Sequence, residues 1–469
     1  MQVEIGGLSS NSIPSTHPTH RSSTTPTLDP ESHPPAIPSR TRHTMSALDT
    51  TSAAPSPPRS PTSALEAPTG GTPTKKVDFD VASATEAEAS APVHFTPTAN
   101  IATPGAFAQP TSCKCMAALT EGGRLEPFTI TRRALKPTDV AIQIKYAGVC
   151  HSDIHQARGE WSKGGVFPMV TGHEVGGVVV AVGDAVTKFS VGDVVGIGCM
   201  VDSCRSCKYC VRGDEQYCKG KGGAVFTYGD STNKYEHSAE DEEVTNAVTY
   251  GGYSESVVVH EGFVCTIPSN LDLAAATPLL CAGVTTYSPL IHYGLRPHHK
   301  LAVVGLGGLG HMGVKFGVAM GAEVTVVSRG TGKMEDSKRL GAHHFLDSTD
   351  KEAMAVAADT FDFVLDTVAA NHDVGALLDL LTVDGKCVMV GIPPDAVPIS
   401  AFKLIMGRKI LAGSLIGGVR ETQEMLDFCG RHDITCDIET IRADEVNEAW
   451  ERAIASDVKY RFVIDTATL

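Results

Sequence analysis

Leu301-Ala302-Val303-Val304-Gly305-Leu306-Gly307-Gly308-Leu309-Gly310 is the stretch that decides the fold. Four apolar residues read as a fully buried strand, and the glycines after them read as a tight turn into a helix over Leu309 to Met320. The spacing Gly305-x-Gly307-x-x-Gly310 permits the turn, a close backbone approach to a pyrophosphate and close helix–strand packing. The helix start adds free N–H groups and the favourable end of a dipole for an anion. Strand, glycine turn and helix in that order predict a dinucleotide-binding βαβ unit. Working outward, Val324 to Val327, Phe361 to Asp366 and Cys387 to Val390 read as further strands with helical stretches between them. That alternation predicts a parallel, doubly wound sheet. A Rossmann domain is therefore expected over residues 273–413.

The end of the second strand selects the cofactor. An NAD site wants a carboxylate there to accept from the ribose 2′-OH. This chain has Ser328, Arg329, Gly330, Thr331, Gly332 and Lys333. One hydroxyl and two cations suit a 2′-phosphate, which arginine can pair bidentately. Ser328, Arg329 and Lys333 are accordingly expected to read NADP(H).

Upstream, alternating runs such as Val140 to Ile144 and Val175 to Val180, set between glycine-rich turns, predict a mainly-β unit over residues 111–272. It contains Cys204-x-x-Cys207-x-x-Cys210-x7-Cys218. Four closely spaced thiolates supply a tetrahedral soft-ligand shell that suits zinc, and a shell closed by protein atoms is structural. A cysteine-rich loop without metal and an iron–sulfur centre are the alternatives this spacing leaves. A second set is dispersed: Cys150-His151-Ser152-Asp153, Gly172-His173-Glu174 and Cys281. Two cysteines and one histidine suit a zinc with an open fourth position, but spacing alone does not join them.

The remaining features set bounds. A formal net charge of -15 argues against nucleic acid as a partner, because phosphate binding wants a basic face. No apolar run is long enough to predict a membrane span. Thirteen cysteines, an odd and clustered set, fit metal binding and reduced thiols better than a disulfide framework. Residues 1–110 hold most of the chain's 27 prolines and neither Trp nor Tyr, so they are expected to be a disordered Ser/Thr/Pro-rich tail. A cytoplasmic location is expected, with an organellar transit peptide as the alternative for the Ser/Thr-rich start. The acidic run from Glu236 to Glu243 reads as a solvated surface loop.

Taken in order, Gly148-Val149-Cys150-His151-Ser152-Asp153, Gly172-His173-Glu174, the four-cysteine loop, Leu280-Cys281-Ala282-Gly283-Val284-Thr285 and Gly305 to Gly310 resemble the zinc-dependent medium-chain alcohol dehydrogenases. Asp366-Thr367-Val368 and Tyr460-Arg461-Phe462-Val463-Ile464-Asp465 make the cinnamyl alcohol dehydrogenase-like branch the nearest match. The resemblance covers about residues 111–469. It implies a GroES-like catalytic domain split around the Rossmann domain, with residues 414–469 returning to it. It further implies Cys150, His173 and Cys281 as catalytic zinc ligands, Glu174 as a transient fourth, and Asp153 as the acceptor that orients His173. Ser152 and His155 would form a proton relay, and Trp161 would line the substrate pocket. Thr285, Thr367, Gly391, Ser414, Leu415, Ile416 and Arg461 would join Ser152 and the Gly305–Gly310 loop around the cofactor. The implied activity is interconversion of primary alcohols and aldehydes by a homodimer holding two zinc ions per chain. A secondary alcohol or polyol dehydrogenase is the alternative within the family, and a zinc scaffold without turnover the alternative outside it. Between Gly222 and Gly251 the chain is longer than is usual in the family, which bears on substrate range.

Overall fold

The computed structural model describes residues 107–161, 164–230 and 248–469. Most of the expected tail and the whole Glu236–Glu243 run lie outside the described residues. The end of the tail is described, and there Phe107 is buried against Ala141 and Val180 while its carbonyl accepts from Leu135 N. Phe107 falls inside the stretch read as tail, yet its one aromatic ring is packed into the β unit.

The first half builds a β unit: β1 (Thr111–Ala118), β2 (Leu125–Arg132), β3 (Asp139–Val149), helix α1 (His151–Ala157), β4 (Val175–Val182), β5 (Val194–Ile197), β6 (Met200–Asp202), α2 (Lys208–Arg212), β7 (Val225–Phe226), β8 (Ser256–His260) and β9 (Cys265–Thr266). Short helices α3 (Leu273–Ala276) and α4 (Ala282–His292) lead out of it. β3 is the spine, pairing antiparallel with β4 and β8. Its interior is valine, isoleucine and alanine, the types that pack well on a pleated, buried surface.

The second half alternates strand and helix: β10 (Lys300–Val304), α5 (Gly310–Ala319), β11 (Glu323–Ser328), α6 (Met334–Arg339), β12 (His344–Asp347), α7 (Lys351–Val356), β13 (Phe361–Asp366), α8 (Val374–Asp379), β14 (Leu381–Met389), α9 (Ala401–Ile405) and β15 (Ile410–Gly413). All pairings are parallel, in the order β12-β11-β10-β13-β14-β15. This is the doubly wound order expected, and it reverses direction between β10 and β13. A crevice at their carboxyl ends is where such a sheet binds ligands. There Gly305 follows β10 and Thr367 follows β13.

The chain then runs through α10 (Val419–His432), β16 (Ile438–Arg442), α11 (Val446–Ile454) and β17 (Arg461–Asp465). β17 pairs antiparallel with β3 and parallel with β16, so the end of the chain completes the first sheet. The register sets Phe462 opposite Val149, which places Arg461 beside Cys150.

One ion cluster ties this return segment to the parallel sheet. Asp437, just before β16, accepts from Lys315 Nζ of α5 at 2.6 Å and from Arg339 Nη1 of α6 at 2.7 Å. Lys315 also donates to Thr435 O, and Lys459 to Asp336. Burial pushes the Asp437 carboxyl up, but the two cations outweigh it and hold the group below the usual carboxylate range. A depressed folded value contributes stability above the ordinary aspartate value and loses it as pH falls through the folded one. Asp437→Asn should therefore lower the unfolding free energy by about 1–2 kcal/mol near neutral pH, a figure reduced for partial solvent access. The gap should close below about pH 4. Melting curves from neutral to acidic pH check this, and a gap that does not change with pH would contradict it.

Candidate active site

Cys204, Cys207, Cys210 and Cys218 bring their sulfurs within 4.8 Å of one another. Cys204 Sγ lies 3.8 Å and Cys207 Sγ 3.6 Å from Cys210 Sγ. A zinc–sulfur distance of about 2.3 Å gives a tetrahedron with edges near 3.8 Å, so the loop has the dimensions of a zinc shell. Backbone N–H groups of Cys210 and Lys219 pull the Cys207 thiol down to about 6, which favours the thiolate a metal needs. The loop also supports its neighbours. Tyr217 Oη accepts from Leu415 N at 3.1 Å, and Glu215 Oε2 from Val419 N at 3.1 Å.

The dispersed set converges as well. Ligand atoms of Cys150, His173, Glu174 and Cys281 lie within 4.8 Å of one another, and all four residues are buried. Cys150 stands at the β3–α1 junction, His173 and Glu174 lead into β4, and Cys281 immediately precedes α4. Asp153 orients the group. Its carboxylate accepts from Cys150 N at 2.9 Å, Gly172 N at 3.0 Å, His173 Nδ1 at 3.0 Å and Tyr253 Oη at 3.1 Å. With Nδ1 donating, His173 Nε2 is the ring atom left for a metal.

Glu174 is ion-paired to Arg461, and both are buried. Burial pushes the Glu174 carboxyl up to about 7 against the pull of Arg461. Glu174 Oε2 and Arg461 Nε have no partner among the described residues. Two thiols, a histidine and an orphaned buried carboxylate oxygen, gathered within bonding reach of one point, fit a divalent metal. Gly148 is required for this arrangement, since a Cβ there would lie 1.9 Å from Glu174 Oε2.

Beside the cluster, Ser152 Oγ lies 3.5 Å from Cys150 Sγ. His155 Nδ1 lies 2.5 Å from Glu160 Oε2, and the ring stacks on Trp161 with centroids 5.1 Å apart. Glu160 and Tyr253 were not among the residues read from the sequence, because neither carries a motif. Trp161 contacts His155, and its ring is about half exposed.

The glycine loop has the expected division of labour. Gly305 has φ +87°. A Cβ on Gly310 would lie 2.1 Å from Gly305 O, and one on Gly308 would lie 2.9 Å from Arg461 Nη1. Gly307 faces open space, which leaves its backbone approachable. Leu306 has its side chain in the core and Leu309 packs partly against it, so what these two offer a ligand is backbone. Arg461 thus touches both the metal-type cluster and the loop.

Ser328 ends β11, Arg329 is exposed, and Lys333 Nζ donates to Leu306 O at 2.7 Å. Lys333 therefore tethers the glycine loop with one of its three N–H groups. Asp347, at the end of the adjacent β12, is no substitute for an NAD-type acid. It is held below the usual carboxylate range by bonds from Thr349 and from Gly330 N. Thr367 Oγ1 donates to Val304 O at 2.7 Å, and a Cβ on Gly391 would lie 2.3 Å from Val368 O. Thr285 Oγ1 is buried without a partner among the described residues. Ser414 N donates to Met389 O at 3.1 Å, at the end of β15. Ile416, with φ +39°, lines a small cavity with Cys199, Leu280 and Val284, next to Cys281.

A doubly wound sheet with a glycine phosphate loop, joined to a β unit carrying an open cysteine–histidine centre and a closed four-cysteine one, defines a metal-dependent nicotinamide oxidoreductase. Residues 136–269 match the alcohol dehydrogenase GroES-like domain and residues 308–431 the zinc-binding dehydrogenase domain. The chain is 53% identical over 345 residues to NADP-dependent alcohol dehydrogenase C 1 of Mycolicibacterium smegmatis, covering 74% of this chain and 95% of that one. It is 50% identical over 359 residues to the aldehyde reductase YahK of Escherichia coli, covering 76% and 99%. A cinnamyl alcohol dehydrogenase of Sorghum bicolor, SbCAD4, superposes with a TM-score of 0.71 at 45% identity, covering 76% of this chain and 98% of that one. The chain belongs to the zinc-dependent medium-chain alcohol dehydrogenases, in their cinnamyl alcohol dehydrogenase-like branch.

Proposed function

We propose that this chain interconverts primary alcohols and aldehydes by hydride transfer with NADP(H), with broad-range reduction of aromatic and aliphatic aldehydes. The observation that carries the reading is the convergence of Cys150, His173 and Cys281, in a chain whose glycine loop follows β10 and whose next strand, β11, ends at Ser328 with Arg329 just beyond it. Relatives named for alcohol and aldehyde substrates support it. When bound, zinc supplies a Lewis acid for the substrate oxygen and NADP(H) supplies or takes the hydride. Cys150, His173 and Cys281 would hold the metal, with Glu174 able to approach it and Asp153 fixing the histidine tautomer. Ser152 is placed to take a proton at its hydroxyl, and His155 to carry it toward solvent. Glu160 at Nδ1 leaves His155 Nε2 as the accepting end when the ring is neutral. Thr285, Thr367, Gly391, the Ser414–Ile416 segment and Arg461 would flank the cofactor. Trp161, next to His155, would border the substrate entrance. Zinc-replete full-length protein assayed with NADPH should reduce several aromatic and aliphatic aldehydes. Failure on all of them, with both metal sites filled, would overturn the reading.

Two copies are proposed to pair through α9 and β15. Phe402, Ile405 and Met406 are 74%, 71% and 77% exposed, and they sit next to the edge strand β15, where Ile410 is also exposed. An apolar group beside an unpaired sheet edge is covered in most soluble proteins. Sedimentation should show a dimer, and Ile405→Glu with Met406→Glu should shift it to monomer. A wild-type monomer at micromolar concentration would contradict the pairing. A cytoplasmic setting belongs to the same proposal, supported by the use of six cysteines in two metal-type clusters, a usage suited to a reducing compartment.

A further inference from the structure

We infer that Tyr253 is a positioning residue for the Cys150–His173–Cys281 metal centre, acting on it through Asp153. The inference rests on the zinc reading above. Asp153 is fully buried and takes four donors, two on each oxygen. Three of them, Cys150 N, Gly172 N and His173 Nδ1, belong to the two ligand segments themselves. The fourth, Tyr253 Oη, comes from a distant segment and ties the carboxylate to the rest of the fold, on a side of the site where Tyr228 also faces Asp153.

The chain around Tyr253 is built for that bond. Tyr253 N donates to Thr171 O at 3.0 Å, and Tyr253 O accepts from Met116 N at 2.8 Å. Gly251 N and Gly252 N donate to Val170 O and Gly172 O at 2.7 and 2.8 Å. These bonds hold the segment along residues 170–172, the stretch that leads to His173. Neither glycine has room for a side chain: a Cβ on Gly251 would lie 2.4 Å from Thr171 O, and one on Gly252 would lie 2.6 Å from Val175 Cγ2. Gly172 has φ +101°, and a Cβ there would lie 2.7 Å from Tyr253 Cδ1. Gly172 is therefore glycine for two reasons, its backbone angle and the tyrosine ring packed over it. The ring itself is fully buried.

The hydroxyl has a consequence for the metal. A buried carboxylate that loses one of four donors is less well satisfied and less firmly placed, and its hold on His173 Nδ1 weakens. Partners at this remove from a metal typically change its affinity by about 10–100-fold. A tyrosine that merely fills the core would leave metal retention alone once its ring is kept.

The test uses full-length, zinc-loaded protein and a colorimetric chelator that reports release. Tyr253→Phe keeps the ring and removes the hydroxyl. We expect zinc to leave the Cys150 site about tenfold faster, with release from the four-cysteine loop unchanged. In an Asp153→Asn background the same substitution should add nothing, since the hydroxyl acts through that carboxylate. Should Tyr253→Phe fold poorly, the Asp153→Asn pair still decides, because chelator release can be followed on whatever folded fraction is recovered by gel filtration. Wild-type-like release from Tyr253→Phe would overturn the inference, as would an equal acceleration in the Asp153→Asn background. Wild-type protein with no zinc at Cys150 would overturn the metal reading as well. Two zinc ions per chain with indifferent Tyr253→Phe release would overturn this inference alone.

Discussion

Replacing Cys150 by alanine is expected to lower kcat/KM for aldehyde reduction by at least about a thousandfold while leaving the thermal midpoint nearly unchanged. A Lewis acid at the reacting oxygen is worth several kcal/mol, at about 1.4 kcal/mol for each factor of ten. Cys150 lies between β3 and α1, and β3 is held by its backbone pairing with β4, β8 and β17, so the fold should persist. Replacing Cys207 by serine should do the reverse. Its sulfur closes a structural shell, and structural zinc binding is coupled to folding. A loss of more than about 3 kcal/mol, or at least about 4 °C in Tm, is expected. Because Tyr217 and Glu215 of the same loop hold the backbone at Leu415 and Val419, Cys207→Ser should also raise KM for the cofactor. Calorimetry and steady-state kinetics on both variants check the pair. One shared phenotype would mean that the closed and open centres do not have separate roles.

The second large effect concerns cofactor choice. A 2′-phosphate carries up to two negative charges, and a hydrogen bond to a charged group is worth roughly 1.5–3 kcal/mol. Two such contacts, from Ser328 and Arg329, would favour NADPH over NADH by roughly a hundredfold in kcat/KM. The exposure of Arg329 tempers its share. Ser328→Asp should flatten or reverse the preference, because a carboxylate repels the phosphate and accepts from a free 2′-OH. Arg329→Ala should weaken NADPH and leave NADH nearly untouched. Lys333→Ala should harm both cofactors, since the amine also anchors the glycine loop at Leu306 O. If Arg329→Ala harms both equally, the side chain does not read the 2′-phosphate.

What could be read in the sequence was whatever local chemistry encodes. The Gly305–Gly310 loop and the four-cysteine loop each carry their geometry within a few residues. The joining of Cys150, His173 and Cys281 was different, because it depends on β3, β4 and α4 meeting in space, and only the family resemblance anticipated it. Tyr253 was not legible: its role comes from lying over Gly172, far away in the chain. Asp437 was not legible for the same reason, since its partners sit on α5 and α6 of the other sheet. Lys333 was read as a phosphate contact, and its bond to Leu306 O is a tertiary feature that spacing does not reveal. Phe107 looked like part of a low-complexity tail because a single buried ring does not alter composition.

The most direct measurement is steady-state reduction of benzaldehyde by the zinc-replete full chain, with NADPH and NADH side by side, before and after zinc is stripped by a chelator. The account predicts roughly a hundredfold advantage for NADPH, loss of turnover with the metal, and recovery when zinc is restored. A preference for NADH, or turnover that survives complete removal of zinc, would contradict it.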